Sequence, residues 1–400
     1  MAKRRKSASS EIDLRRAESL VIQLLAIPGP SCQEAEVAGF IETALRRAGA
    51  RKSWIVYDRA HRKSRFGGEV GNLILTVPGT VKGPRRLLSA HIDTVPLCVG
   101  CRPEVRGRRV SSAVSTTALG ADNRSGVAAI LLAALDIIDR DLPHPPLTFL
   151  WPVQEEIGLV GSTHLDCGKL RNPELGFNFD GGKPGEVVIG AIGASRLEID
   201  VHGVASHAGV HPERGVSSIA VAAKAIADLD GNGWHGLVRK GRQSGTSNVG
   251  VIEAGQATNV VTDYARLGAE ARSHNPNFRD RIVDAYRKAF SRAARTSKND
   301  AGKSARVGFH VEKAYESFVI KKTEACVRIL EEAIANAGEA VTHRVVNGGL
   351  DANLLNAHGI PTVSLGGGAC DPHTVKESLD LRQFFTACRI ARRLATVGAE

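Results

Sequence analysis

Apolar runs that break into polar residues mark much of the chain. Residues 86–93 (RLLSAHID), 147–151 (LTFLW) and 175–182 (LGFNFDGG) have the uniform apolar character of strands covered on both faces. Apolar residues at helical spacing over 11–25 and 127–138 predict helices between them. This alternation predicts an α/β fold, with an αβα catalytic domain built on a mostly parallel, mixed sheet.

The pattern changes near Gly193. From there the strands alternate apolar and polar residues, which is typical of a sheet covered on one face only. The order strand, helix, two strands, helix, strand predicts a ferredoxin-like α+β domain inserted at residues 193–318. The sequence therefore predicts four segments. Residues 1–10 form a disordered basic tail, 11–192 the first part of the catalytic domain, 193–318 the inserted domain, and 319–400 the second part of the catalytic domain. Residues 97–119 are expected to form a loop rich in Gly, Arg, Ser and Thr.

Composition excludes several classes of partner. The net charge is +11, but Lys3–Lys6 supply four of these charges and only 4% of the 400 residues are aromatic. No basic stripe with interleaved aromatics is present, so nucleic acid is not an expected partner. No apolar run approaches the ~20 residues that span a bilayer, so no membrane partner is expected. Seven cysteines without framework spacing, and no signal peptide, predict reduced thiols and a cytoplasmic location.

Polar residues follow the predicted strands where they end. Taken alone, the pair Glu155-Glu156 would be interpreted as solvent-exposed surface residues. Asp122 alone would be interpreted as the cap of the helix that follows it. Strand ends in open α/β sheets gather at one edge, however. The repetition therefore predicts one site built from His91, Asp93, Asp122, Glu155, Glu156, Asp180 and His373.

Two imidazoles with several carboxylates suit zinc, with cobalt or manganese as alternatives, better than magnesium or calcium. Five candidate ligands exceed the need of one catalytic ion, and suit two ions if one carboxylate bridges them: His91, Asp122, Glu156, Asp180 and His373. A further carboxylate is then needed to move a proton. Spacing alone does not say whether Glu155 or Glu156 does this.

A family resemblance rests on five segments in order: His91–Pro96, Gly120–Asp122, Glu155-Glu156, Asp180–Gly182 and His373–Glu377. They resemble the di-zinc exopeptidase family of peptidase T, carboxypeptidase G and aminoacylase, and run with their surroundings from about residue 12 to 396. Residues 347–368 are most similar to the peptidase T-like branch, although Leu350 stands where peptidase T has Thr.

The resemblance implies roles for these residues. His91 and Asp180 would bind one metal, Glu156 and His373 the other, and Asp122 both. Asp93 would lie behind His91 and fix its tautomer. Glu155 would be the general base, and the Asp122–Asn123 peptide bond would be cis. The family commonly has a second Asp at the position of Asn123.

The resemblance also makes the insertion a lid. His207, in the segment Gly203–Gly209, would stabilise the tetrahedral oxyanion. In the family this histidine often reaches the site from a dimer partner. Asn259 and Arg272 would hold a substrate carboxylate. Asp351 would line the pocket. A homodimer through the lid is therefore an expected partner.

Three functions are compatible with these residues. The first is hydrolysis of short peptides from one end, as in a tripeptide aminopeptidase, with two divalent cations. The second is an amidohydrolase or deacylase acting on N-acyl or N-carbamoyl amino acids. The third is an inactive relative that binds peptides. The pair Cys98 and Cys101 is expected to be two ordinary loop thiols rather than a zinc or redox site.

Overall fold

The computed structural model describes residues 12–396. The predicted tail, 1–10, lies outside them. The chain forms two compact units. The larger contains residues up to 190, 319–346 and those from 350 onward, and the inserted unit contains Ala191–Phe318 together with Asn347–Gly349. The inserted unit thus includes a short segment from beyond the predicted 193–318.

Helices and strands alternate along most of the chain. The first part contains α1 Leu14–Ala26, α2 Ala35–Arg47, β1 Ile55–Tyr57, β2 Leu73–Val77, β3 Arg86–Ser89, β4 Pro103–Arg106, β5 Arg109–Ser112, α3 Ala121–Arg140, β6 Leu147–Trp151, α4 Val160–Thr163, β7 Leu175–Phe179 and β8 Glu186–Ala191. Next come β9 Gly193–His202, β10 Ser206–His207, α5 Ser218–Gly231, β11 Gly236–Lys240, β12 Gln243–Ala254, β13 Val260–Val261, β14 Tyr264–Ser273, α6 Pro276–Thr296, β15 Arg306–Tyr315 and β16 Phe318–Val319. The last part contains α7 Ala325–Asn336, β17 Thr342–Val346, α8 Asp351–Ala357, β18 Thr362–Leu365, β19 Ala369–Cys370, β20 Ser378–Asp380 and α9 Leu381–Ala395.

A nine-stranded mixed sheet forms the centre of the larger unit, in the order β1-β2-β6-β3-β7-β18-β8-β16, with β17 paired to β8. The four strands β6, β3, β7 and β18 are parallel, and β1, β2 and β8 pair antiparallel. Every residue of β6 and β7 is buried, which explains why their sequences are mostly apolar. Because the four central strands are parallel, their carboxyl ends lie at one edge of the sheet.

Helices cover both faces of this sheet. On one face α3 packs against α1 and α9, and residues 127–135 of α3 are buried all round. On the other face Leu355 of α8 joins a cluster with Ile74, Leu87 and Leu150 of the sheet. The predicted α/β class and αβα layering are therefore confirmed.

The prediction of a loop at 97–119 was wrong in part. This region contains the hairpin β4–β5, which continues through β20 and β19 into a four-stranded antiparallel sheet. The hairpin strands are partly exposed and contain arginine, so they lack the apolar alternation that predicts a strand.

The inserted unit has a five-stranded antiparallel sheet in the order β11-β12-β14-β9-β15. Helices α5 and α6 contribute Val221, Leu229, Phe278 and Phe290 to the hydrophobic core against it. This is the predicted ferredoxin-like arrangement with one added edge strand, β11, which the sequence pattern did not indicate. Among the described helices of the chain, none is long and apolar enough to cross a bilayer.

Candidate active site

One group of possible metal ligands contains His91, Asp122 and Asp180. His91 follows β3, Asp122 lies in the first turn of α3, and Asp180 directly follows β7. His91 Nε2 lies 3.4 Å from Asp122 Oδ1 and 4.0 Å from Asp180 Oδ1. The ligand atoms of all three lie within 4.8 Å of one another.

A second group contains Asp122, Glu156 and His373. His373 Nε2 lies 2.9 Å from Glu156 Oε1 and 3.7 Å from Asp122 Oδ2. These ligand atoms too lie within 4.8 Å of one another, so Asp122 belongs to both groups. All five ligand candidates from the sequence are thus brought together, in two groups that share one carboxylate.

The three carboxylates of the two ligand groups outnumber the two imidazoles that could neutralise them. Burial, with the charges of Asp122, Asp351 and Glu156, raises the pKa of Asp180 to about 8 even though His91 opposes the shift. Asp180 Oδ2 is buried without a hydrogen-bond partner, and so is Asp122 Oδ1. The hydrogen bond to Glu156 raises the pKa of His373 to about 9. Unpaired buried oxygens beside imidazoles fit bound divalent cations.

Asp93 holds the backbone on which Glu155 and Glu156 lie. Its Oδ1 accepts a hydrogen bond from Glu155 N at 3.0 Å, and its Oδ2 accepts from Glu156 N at 3.1 Å and Ser31 Oγ at 2.6 Å. His91 Nδ1 lies 3.4 Å from Asp93 Oδ1. Burial alone would raise the pKa of Asp93, but His91 and Ser31 outweigh it and hold that pKa below its usual range. Asp93 therefore connects His91 to the Glu155-Glu156 loop.

Glu155 belongs to neither ligand group among the described residues. Burial raises its pKa well above the usual range, opposed by the charge of His91 and reinforced by those of Asp180 and Asp351. Glu155 is therefore close enough to both groups to interact with them electrostatically, and free of the contacts that engage Glu156.

The backbone at the start of α3 requires glycine at two positions. Gly120 has φ +81° and ψ +24°, a left-handed conformation that favours glycine. A Cβ on Gly126 would overlap Asn123 Oδ1 and Phe179 O. Asn123 Nδ2 donates to Phe179 O at 2.7 Å, which connects this turn to the strand end before Asp180. The Asp122–Asn123 peptide bond is cis, as the resemblance implies.

Asp351 is fully buried, and its Oδ1 accepts a hydrogen bond of 2.6 Å from Ser162 Oγ. It presents no accessible surface to a ligand in this structure. Its contact connects α8 to the segment that follows Glu155 and Glu156.

The other three predicted residues lie in the inserted unit. His207 and Asn259 are neighbours, because Ala208 N donates to Asn259 O at 2.9 Å beside the β10–β13 pair. His207 Nδ1 accepts from Gly209 N and Val210 N, both at 3.2 Å. Arg272, on β14, donates to both carboxylate oxygens of Glu270 at 3.0 and 2.9 Å.

Three buried residues near the site had no predicted role. Glu34 Oε1 accepts from Gln154 N at 3.0 Å, next to Glu155. The Arg124 guanidinium is fully buried near Asp93 and Glu34. Burial lowers the pKa of Arg124 to about 10, although the negative charges of Asp93 and Glu34 oppose this shift. Glu377 accepts hydrogen bonds from the turn that carries Asp122. Only Glu377 had a sequence signal, since it ends the segment His373–Glu377.

Histidines and carboxylates gathered at the carboxyl edge of a parallel sheet are the arrangement of an α/β metallohydrolase. Residues 87–397 match Peptidase family M20/M25/M40. The chain belongs to this metallopeptidase family.

The chain is also similar to a curated protein and to solved structures. The chain is 33% identical over 318 residues to the uncharacterized protein YqjE of Bacillus subtilis, covering 79% of this chain and 82% of that protein. It is similar to the crystal structure of a tripeptidase from Staphylococcus aureus, with a TM-score of 0.84 and 28% identity over 96% of this chain and 98% of that one. For aminopeptidase PepT of Bacillus cereus the TM-score is 0.80 and the identity 29%, over the same shares.

Proposed function

We propose that this peptidase removes the N-terminal residue from short peptides, tripeptides above all, with two divalent cations, preferably zinc. His91, Asp122 and Asp180 would hold one cation, and Asp122, Glu156 and His373 the other. The observation that carries this proposal is the position of Asp122 in both ligand groups. The tripeptidase and PepT structures named above support the substrate class.

Two such cations, when bound, would supply Lewis acidity and lower the pKa of the attacking water. The chain itself must then accept a proton and deliver it to the leaving amine. Glu155 suits this task because its partly buried carboxylate interacts electrostatically with residues of both groups, and its backbone N–H is held by Asp93. Cobalt or manganese would serve the same ligands.

His207 would stabilise the oxyanion. Two backbone N–H groups donate to its Nδ1, so the neutral ring carries its proton on Nε2. Nε2–H is then available as the donor that an oxyanion requires. Asn259, beside His207, and Arg272 would bind the substrate carboxylate, with Arg272 using donors beyond those given to Glu270.

The inserted unit would also form a homodimer. Residues 248–254 of β12 extend past the pairing with β11, and within residues 12–396 no strand covers that edge. Val251 and Ile252 on this segment are 53% and 54% exposed. A free strand edge with exposed apolar side chains supports pairing with a second copy. Light scattering should give a dimer mass that Val251→Lys reduces to that of a monomer.

The substrate is tested with the zinc-loaded protein and four peptides of one sequence: a dipeptide, a tripeptide, the N-acetylated tripeptide and the C-amidated tripeptide. Mass spectrometry should show loss of the N-terminal residue from the free tripeptide. Amidation, which removes the carboxylate that Asn259 and Arg272 would bind, should weaken this cleavage, and acetylation should abolish it. Cleavage only of acetylated peptides would make the protein a deacylase instead. Metal and peptide binding without cleavage would make it an inactive relative.

A further inference from the structure

Glu377 is a buried carboxylate that binds three backbone amides of one turn. Its Oε2 accepts from Leu119 N at 3.0 Å and Gly120 N at 2.8 Å, and its Oε1 accepts from Asp122 N at 2.9 Å. The side chain is 2% exposed. Hydrogen bonds to a charged acceptor in such surroundings are the strong ones.

The Asp122 amide belongs to the first turn of α3, and those of Leu119 and Gly120 directly precede the helix. The first N–H groups of a helix have no partner within it, and a side chain usually caps them. Gly120, at the N-cap, has no side chain to do so. Glu377 supplies that acceptor and a negative charge from more than 250 residues away in the chain.

The same side chain belongs to the loop that carries His373. Glu377 N donates to Thr374 O at 3.0 Å, and Thr374 Oγ1 donates to Asp371 O at 2.9 Å, so the loop is closed by its own hydrogen bonds. One end of this compact loop presents His373, and the other binds the turn of Asp122. Glu377 thereby links two members of the ligand group that also includes Glu156.

We propose that Glu377 is a positioning residue that holds Asp122 and His373 at the separation a cation between them requires. This inference rests on the proposed two-cation function. Loss of a residue that orients ligands typically costs about 10- to 100-fold in metal affinity.

The test is Glu377→Gln, which keeps the shape but turns one acceptor into a donor facing the backbone amides. Metal-free protein is titrated calorimetrically with zinc, and the cobalt-loaded protein is measured by visible absorption. We expect the weaker of the two zinc affinities to fall about 10- to 100-fold. The cobalt absorption bands should change in position or intensity.

Asp136→Asn is the matched control. Asp136 is another buried carboxylate of α3, paired with Arg16 and Arg140 at 3.5 Å, and lies about four turns from Asp122. This variant should melt at a lower temperature and keep both zinc affinities and the cobalt spectrum.

A Glu377→Gln protein that only melts earlier, with zinc affinities and cobalt spectrum as in the wild type, would overturn the inference. Should that variant not fold, Glu377→Asp replaces it, since it keeps the charge but shortens the side chain, and the same results are expected. Wild-type protein that binds fewer than two zinc ions would refute the proposed function itself, whatever the variant does.

Discussion

The Asp93→Asn substitution tests how the site is held together. Asp93 accepts three hydrogen bonds, from Glu155 N, Glu156 N and Ser31 Oγ, at 3.0, 3.1 and 2.6 Å. An asparagine has the same shape but only one acceptor oxygen. If that oxygen takes the position with two donors, the amide nitrogen faces Glu155 N–H, and one buried donor is left unpaired.

The magnitude follows from these contacts. A hydrogen bond to a charged group stabilises by about 1.5–3 kcal/mol, and a neutral one by about 1 kcal/mol. Asp93→Asn loses one charged bond and converts two others into neutral ones, so the free energy of unfolding should fall by roughly 4 kcal/mol. At ~2 °C per kcal/mol for a unit of this size, the melting temperature should fall by about 8 °C.

The assay is calorimetric melting of the metal-free protein, which avoids stabilisation by bound ions. Ser31→Ala is the graded control: it removes one donor and leaves both backbone contacts, so it should lower the melting temperature by about 3 °C. Turnover of Asp93→Asn should fall about 10- to 100-fold, because His91 loses its partner carboxylate. Wild-type melting and turnover in Asp93→Asn would refute this account of the site.

Four further substitutions test separate parts of the site. Glu155→Ala should keep the wild-type metal content while turnover falls at least ~100-fold, and Glu156→Ala should lose metal; the opposite pattern would reverse the two roles. Gly126→Ala places a methyl group against Phe179 O, so the free energy of unfolding measured in urea should fall by about 1–3 kcal/mol. An unchanged midpoint of urea unfolding would contradict the close approach of Gly126 to Phe179 O. His207→Ala should lower kcat about 100-fold with metal content unchanged, and wild-type kcat would exclude it from oxyanion stabilisation.

The grouping of candidate ligands was predictable where a candidate lies next to a strand that has a clear sequence pattern. Asp180 directly follows β7, and His91 comes two residues after β3. Buried parallel strands are mostly apolar, so a histidine or carboxylate directly after one is conspicuous in sequence. The assignment of proton transfer to Glu155 came from the family resemblance, since both members of the pair follow the same strand.

The supporting carboxylates were not predictable in the same way. Glu34 and Glu377 act on backbone amides of Gln154 and Asp122, which lie 120 and 255 residues away in sequence. No local periodicity encodes such a contact, because it depends on how separate loops meet in the folded chain. The hairpin β4–β5 was missed for a related reason: its pairing with β20 compensates for a sequence without apolar alternation.

The number of cations bound by wild-type protein and by Asp122→Ala tests the central claim most directly. After removal of metal and titration with zinc, elemental analysis should give two zinc ions per wild-type chain. His373→Ala should retain one ion. Asp122→Ala should bind neither tightly, because Asp122 belongs to both ligand groups. A wild-type chain with a single ion, or Asp122→Ala with two, would contradict a bridged two-metal site.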